Sequence, residues 1–122
     1  MPWEFRSDLP IYAQLITQIQ QRIVTGQLQP GDRLPSVRDL AAEAGVNPNT
    51  MQRAMTELER QGLVHSQRTA GRFVTQEEAV IRALREDLAH TQVQAFLAAM
   101  GQLGFAPQEI AVLIQKEGEK SL

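Results

Sequence analysis

The stretch that most constrains this chain is Leu34 to Val64, LPSVRDLAAEAGVNPNTMQRAMTELERQGLV. Ser36 follows a proline and has Asp39 three positions on, which sets a capped start for a helix with Val37, Leu40 and Ala41 on its inner face. Gly45 ends that helix. Asn47 then supplies a second capping side chain, and Pro48 stands at the first helical position, where a missing N–H costs nothing. The helix that follows turns Met51, Ala54, Met55 and Leu58 inward at spacings of three and four, and Gly62 closes it.

Two short helices joined by a tight glycine-containing turn form the helix-turn-helix pattern. The outer face of the second helix sharpens that reading, because Asn47, Asn49, Thr50, Gln52 and Arg53 crowd its first turns. Amide, hydroxyl and guanidinium groups match the donor and acceptor pattern of base edges in the major groove, where the N-terminal end of a recognition helix sits. A polar, solvated surface with no partner is the alternative, and this helix alone leaves it open.

Before the motif, Trp3 and Phe5 alternate with Glu4 and Arg6, as in a short strand or extended arm laying two aromatics on the core. Asp8 and Pro10 introduce a helix with Tyr12, Leu15, Ile16, Ile19 and Ile23 as its apolar stripe, ended by Gly26. Its other face is rich in glutamine, and the helix is expected to brace the motif. After the motif, Leu63 to Ser66 and Arg72 to Thr75 are strand candidates flanking a turn, so a hairpin is expected. Arg68, Thr69 and Arg72 at its tip could lay donors on the adjacent backbone or minor groove, as a wing does. His65 at its base is read as a packing residue.

From Glu77 to about Met100 a helical pattern carries Val80, Leu84, Leu88, Thr91 and Ala95, with a second set at Val93, Phe96, Leu97 and Met100. Gly101 to Gly104 breaks it, and a further helix opens with Pro107, carrying Ile110, Leu113 and Ile114. A helix so long, with few residues left to cover it, must bury its apolar stripe against something outside its own small domain. The economical solution is the same helix of a second copy, which places Val80, Leu84, Leu88, Phe96, Leu97, Ile110, Leu113 and Ile114 in a dimer interface. Folding back on its own first domain is the competing solution.

Charge follows the same division. Residues 1–75 hold eight Arg against seven acids, a balance of +1, and residues 76–122 hold four Lys plus Arg against seven acids, a balance of −3. Every basic residue of the first part is arginine, the side chain suited to bidentate contact with phosphate or guanine. A basic face this modest implies salt-sensitive binding through few phosphates.

The run from Pro10 to Val74 resembles the DNA-binding domain of the GntR family of bacterial transcription regulators. The matching motifs are PIY at Pro10 to Tyr12, G-x-L-x-P-G-D at Gly26 to Asp32, LPSVRDLA at Leu34 to Ala41 and V-N-x-x-T at Val46 to Thr50. The run R-A-x-x-x-L-E-x-x-G-L-V from Arg53 to Val64 completes the set. The resemblance implies a winged helix-turn-helix, residues 1–76, that binds a two-fold symmetric operator in double-stranded DNA as a homodimer. It also implies phosphate and base contacts at Ser36 and Arg38 and at Asn47, Asn49, Thr50, Gln52 and Arg53. The family wing commonly reads R-G-K-G-T-F-V. Here Thr69 and Ala70 replace the first glycine and the lysine, which alters how closely the backbone can approach DNA, and Arg72 is the residue that could restore the charge.

The two helices of residues 77–122 are too little for the large effector domains of most of the family. The arrangement is similar to the small YtrA-type subgroup, in which such helices dimerise the protein, and which implies a repressor. The expected architecture is therefore mostly α with one small β-hairpin.

Other classes find little support. With no cysteine, two isolated histidines (His65 and His90), no G-x-S-x-G and no phosphate-cradling glycine loop, an enzyme, a cofactor or a metal centre is not expected. No basic segment followed by an apolar run opens the chain and no stretch reaches the length of a membrane span, so a soluble, cytoplasmic protein is expected. No cluster of polar side chains marks a pocket for a small-molecule effector. The rival reading is a winged-helix protein-interaction module, which would show apolar or acidic residues where this chain shows Asn, Thr, Gln and Arg.

Overall fold

The structure is a computed structural model and describes residues 2–121. Its elements are α1 (Ile11–Val24), α2 (Val37–Ala44), α3 (Pro48–Arg60), β1 (Val64–Gln67), β2 (Gly71–Val74), α4 (Glu78–Gln102) and α5 (Pro107–Ser121). The chain divides into two compact units, the first running through Arg85 and the second starting at Glu86.

In the first unit, α1, α2 and α3 contribute Leu15, Ile19, Ile23, Leu40, Ala41, Met51, Ala54, Met55 and Leu58 to one core, closed by Leu34, Leu63, Val64 and Val74. Each fully buried side chain of this size contributes about 1.5–3 kcal/mol. Among the described residues no buried side-chain nitrogen or oxygen lacks a partner. The helix starts follow their caps. Ser36 Oγ accepts from Asp39 N–H at 3.1 Å, and Gly45 ends α2 in the left-handed region with φ 72°. Asn47 Oδ1 accepts from Asn49 N–H at 2.8 Å, with Pro48 opening α3.

The hairpin pairs Val64 with Val74, His65 with Phe73, Ser66 with Arg72 and Gln67 with Gly71, one residue away from the bounds read in the sequence. A third edge joins it: Arg33 bridges to Phe73, Leu34 N–H donates to Arg72 O at 2.9 Å, and Val74 N–H donates to Asp32 O at 2.9 Å. The segment before α2 is thereby fastened to the wing.

The N-terminal arm is extended but is not a strand. Trp3 and Phe5 stack with ring centroids 6.1 Å apart and pack against the core. The glutamines of α1 hold the other side of the arm. Gln18 accepts from Glu4 N–H and donates to Glu4 O at 2.6 Å, and Gln14 does the same to Arg6 at 2.8 and 2.9 Å. Two side-chain amides one helical turn apart thus do the work of a neighbouring strand. Arg22 stacks on Trp3 at 3.6 Å from the ring centroid and donates to Pro2 O at 3.0 Å; burial pulls its guanidinium below the ordinary arginine value, and Glu43 opposes that fall.

Val80, Ile81 and Leu84 of α4 also pack on this core, which is why the first compact unit extends through Arg85, whereas the sequence boundary falls at 76/77. Val80 and Leu84, expected in a dimer interface, therefore spend part of their apolar surface inside their own chain. In the second unit α4 ends in a left-handed glycine, Gly104 (φ 90°), with Phe105 N–H donating back to Met100 O at 3.2 Å. Ala106 N–H donates to Glu109 Oε1 at 2.9 Å, which caps α5. Ile110 is buried, Leu88, Leu97 and Leu113 are half-buried, and Phe96 and Ile114 are 42% and 53% exposed. Among the described residues no single helix is long and apolar enough to cross a membrane.

Candidate nucleic-acid interface

Helix α3 presents four lengthwise strips. Met51, Ala54, Met55 and Leu58 face the core. One flank faces the wing: Glu59 accepts from Ser66 Oγ at 2.5 Å and from Arg72 Nε at 2.6 Å. The other faces α1, where Gln20 Nε2 donates to Gln61 Oε1 at 2.9 Å and the Arg53 guanidinium lies 4.6 Å from the centroid of the Tyr12 ring. Between the flanks, Asn49, Gln52 and Thr56 stand exposed along the outer face. Gln52 Nε2 donates to Thr56 Oγ1 at 3.3 Å, and Thr56 Oγ1 donates to Gln52 O at 3.0 Å.

The structure sorts the residues singled out in the sequence. Asn49, Gln52 and Arg53 share the exposed side of α3, and Arg38 is exposed on α2. Ser36 and Asn47 are exposed, but their side-chain oxygens accept the capping bonds, and the donors they retain are a hydroxyl hydrogen in one case and an amide NH2 in the other. Thr50 is half-buried. Arg68 and Thr69 are exposed at the wing tip, between β1 and β2.

Arg72 stands apart. Its guanidinium and the Glu59 carboxylate form an ion pair whose side chains are 24% and 31% exposed, so this arginine fastens the wing to the flank of α3 that faces it. Burial works to raise the Glu59 carboxyl, but the Ser66 hydroxyl and Arg72 together outweigh it and hold the group below its ordinary value.

Three residues of this surface escape a reading by local pattern. Arg33 is exposed and lies across the wing backbone: a Cβ on Gly71 (φ 107°) would come within 3.2 Å of its Nε. Arg33 thus sets a cation beside Gly71 of the wing, and its only sequence signal is a basic residue directly before Leu34. Thr56 is reached by counting four on from Gln52 along the same face. Tyr12 reads in the sequence as core stripe and turns out half-buried, with one face given to Arg53.

The capped helix end, the polar outer strip and the exposed Arg33, Arg38, Arg53 and Arg68 around it form an array of hydrogen-bond donors suited to phosphate and base edges. No group of three or more His, Asp and Glu placed to hold a metal ion occurs among the described residues.

Comparison with known proteins identifies the family. Residues 11–74 match the family model described as bacterial regulatory proteins, gntR family. An uncharacterized HTH-type transcriptional regulator of Bacillus subtilis, YhcF, is 39% identical over 107 residues, covering 88% of each chain. The HTH-type transcriptional repressor YtrA of the same organism is 36% identical over 101 residues, covering 78% of each. Among solved structures, a GntR family transcriptional regulator from Listeria monocytogenes superposes with a TM-score of 0.84 at 37% identity, over 92% of this chain and 98% of its own. The AraR DNA-binding domain in complex with operator ORR3 matches 62% of this chain and 88% of its own, with a TM-score of 0.52 at 33% identity. With relatives named as transcriptional regulators and not as enzymes, and with its own helix-turn-helix and wing in place, the chain belongs to the gntR family of bacterial regulatory proteins, among its YtrA-like regulators.

Proposed function

We propose that the chain is a sequence-specific DNA-binding repressor that grips a two-fold symmetric operator as a homodimer. The observation that carries the reading is the outer strip of α3. Its N-terminal turns offer Asn49 and Gln52 to base edges, and Arg33, Arg38 and Arg68 are exposed before α2, on α2 and at the wing tip for backbone phosphates. Asn and Gln amides pair bidentately with adenine, and arginines fix register without carrying sequence information themselves. An interaction module would place apolar or acidic groups on that strip, and it has none.

The homodimer rests on the second unit. Val93, Phe96, Leu103, Phe105, Val112 and Ile114 are all exposed there, and Phe96, Met100, Leu113 and Ile114 line an open groove. An apolar surface this dense in a short segment marks an interaction site. A second copy supplies the same surface in return, as a two-fold interface requires. Two reading units so joined would meet major grooves about 34 Å apart or somewhat more. Repression follows if the occupied site excludes polymerase, and the name of the B. subtilis relative YtrA supports that sense of regulation.

Selection of bound duplexes from a random pool by the full chain tests the proposal. Recovery of a site with two inverted half-sites is expected; recovery of random sequence would refute it.

A further inference from the structure

We propose that Tyr12 is a positioning residue for DNA binding, one that holds the Arg53 guanidinium at the α1 edge of the recognition helix to meet a backbone phosphate and not a base. The assignment rests on the DNA-binding reading above and divides its surface more finely. Sequence spacing groups Arg53 with Gln52 as base readers, and the geometry separates them. Gln52 bonds along the helix to Thr56 on the exposed outer face, whereas Arg53 turns toward α1 and lies over the Tyr12 ring at 4.6 Å.

The flank on which Arg53 lies continues through Glu57 to Arg60, one and two turns further on. Arg60 is already neutralised, since its Nε donates to Glu57 Oε2 at 2.8 Å. Its guanidinium is pushed upward by the hydrogen bonds to Glu57. Arg53 has no carboxylate at ion-pair distance among the described residues. Among the described residues its restraint is the aromatic face of Tyr12, which limits where the cation points without cancelling its charge.

A recognition helix lying in a major groove about 12 Å wide meets base edges along its central outer strip and the sugar-phosphate walls along its flanks. A free cation held on a flank meets a wall. In this way Tyr12 converts a flexible side chain into a preorganised phosphate contact, and the lost rotamer freedom is spent in the free protein.

The test measures binding of the full chain and four variants, R53A, Y12F, Y12L and Y12L/R53A, to the selected site and to random duplex across a range of potassium chloride. Thermal unfolding of each variant serves as a folding control. R53A should weaken both duplexes by the same factor and lower the slope of log affinity against log salt by about 1 per reading unit, with base preference unchanged. Y12L should weaken binding about two- to fivefold, Y12F should stay within about twofold of the parent, and Y12L should add nothing once Arg53 is gone. A change of preference at one base pair in R53A with an unchanged salt slope would overturn the phosphate assignment. Equal loss from Y12L with and without Arg53 would overturn the positioning role. A parent that prefers no duplex would overturn the DNA-binding reading itself, and this assignment with it.

Discussion

The unit through Arg85 and the unit from Glu86 onward are built from the same kinds of residue and solve opposite problems. The first closes on itself, with Leu15, Met51, Met55, Leu58, Leu63, Val64 and Val74 fully buried. Among its described residues the second buries Ile110 alone and leaves large apolar side chains in the open, Leu103 at 72% exposure among them. A short pair of helices lacks the volume to surround its own apolar face. The difference teaches where stability comes from: the reading unit draws on internal packing, and the C-terminal unit must draw on association, so the two should respond differently to mutation and to protein concentration.

The sharpest way to break the comparison is a core truncation. Leu58→Ala should cost about 2–5 kcal/mol, seen in chemical denaturation as early loss of the reading unit at every protein concentration. Phe96→Asp with Ile114→Asp should leave the reading unit folded and shift the chain toward monomer. Specific DNA affinity should fall by about 10²-fold or more as the second reading unit is lost. If the pair destabilises the reading unit as strongly as Leu58→Ala does, the two units are not independent.

A smaller effect is expected at the caps. Asn47→Ala removes the oxygen that receives Asn49 N–H and should cost about 1 kcal/mol of stability, while Asn47→Asp should largely retain it. Retention of stability with loss of DNA affinity in Asn47→Asp would separate the capping role from any contribution of the amide NH2 to binding.

The smallest effect lies in the wing. Because the Glu59 carboxyl is held below its ordinary value of 4.5, its contribution is fully present above that value and is lost as pH falls through the lowered one. Acidification from neutrality to about pH 3 should therefore remove up to about 1 kcal/mol from the parent that Glu59→Gln does not lose, as read by thermal unfolding. Arg72→Ala should show the same flattened acid response. An Arg72→Ala variant with parental acid response but a lower salt slope would place this arginine on DNA instead.

The legible part of the molecule is what local pattern encodes. Ser36 and Asn47 announce their helices, and the three-and-four spacing of Met51 to Leu58 gives the face that packs. Residues whose roles depend on distant partners are less legible. Gln14 and Gln18 read as a polar face, since nothing in their spacing says that an arm will return to pair with them. Arg72 reads as a wing cation because its partner Glu59 lies across a strand and a turn. Val80 and Leu84 read as part of one long stripe, yet the start of α4 packs on the first core while the stripe continues past it. The strip of α3 is legible residue by residue, but its division into an outer face and two flanks is not, because that depends on where α1 and the wing dock.

Sedimentation of the full chain with a duplex carrying the selected inverted repeat tests the central claim most directly. The account predicts two chains per duplex, with loss of tight binding when either half-site is scrambled. One chain per duplex, bound equally well to an isolated half-site, would contradict it.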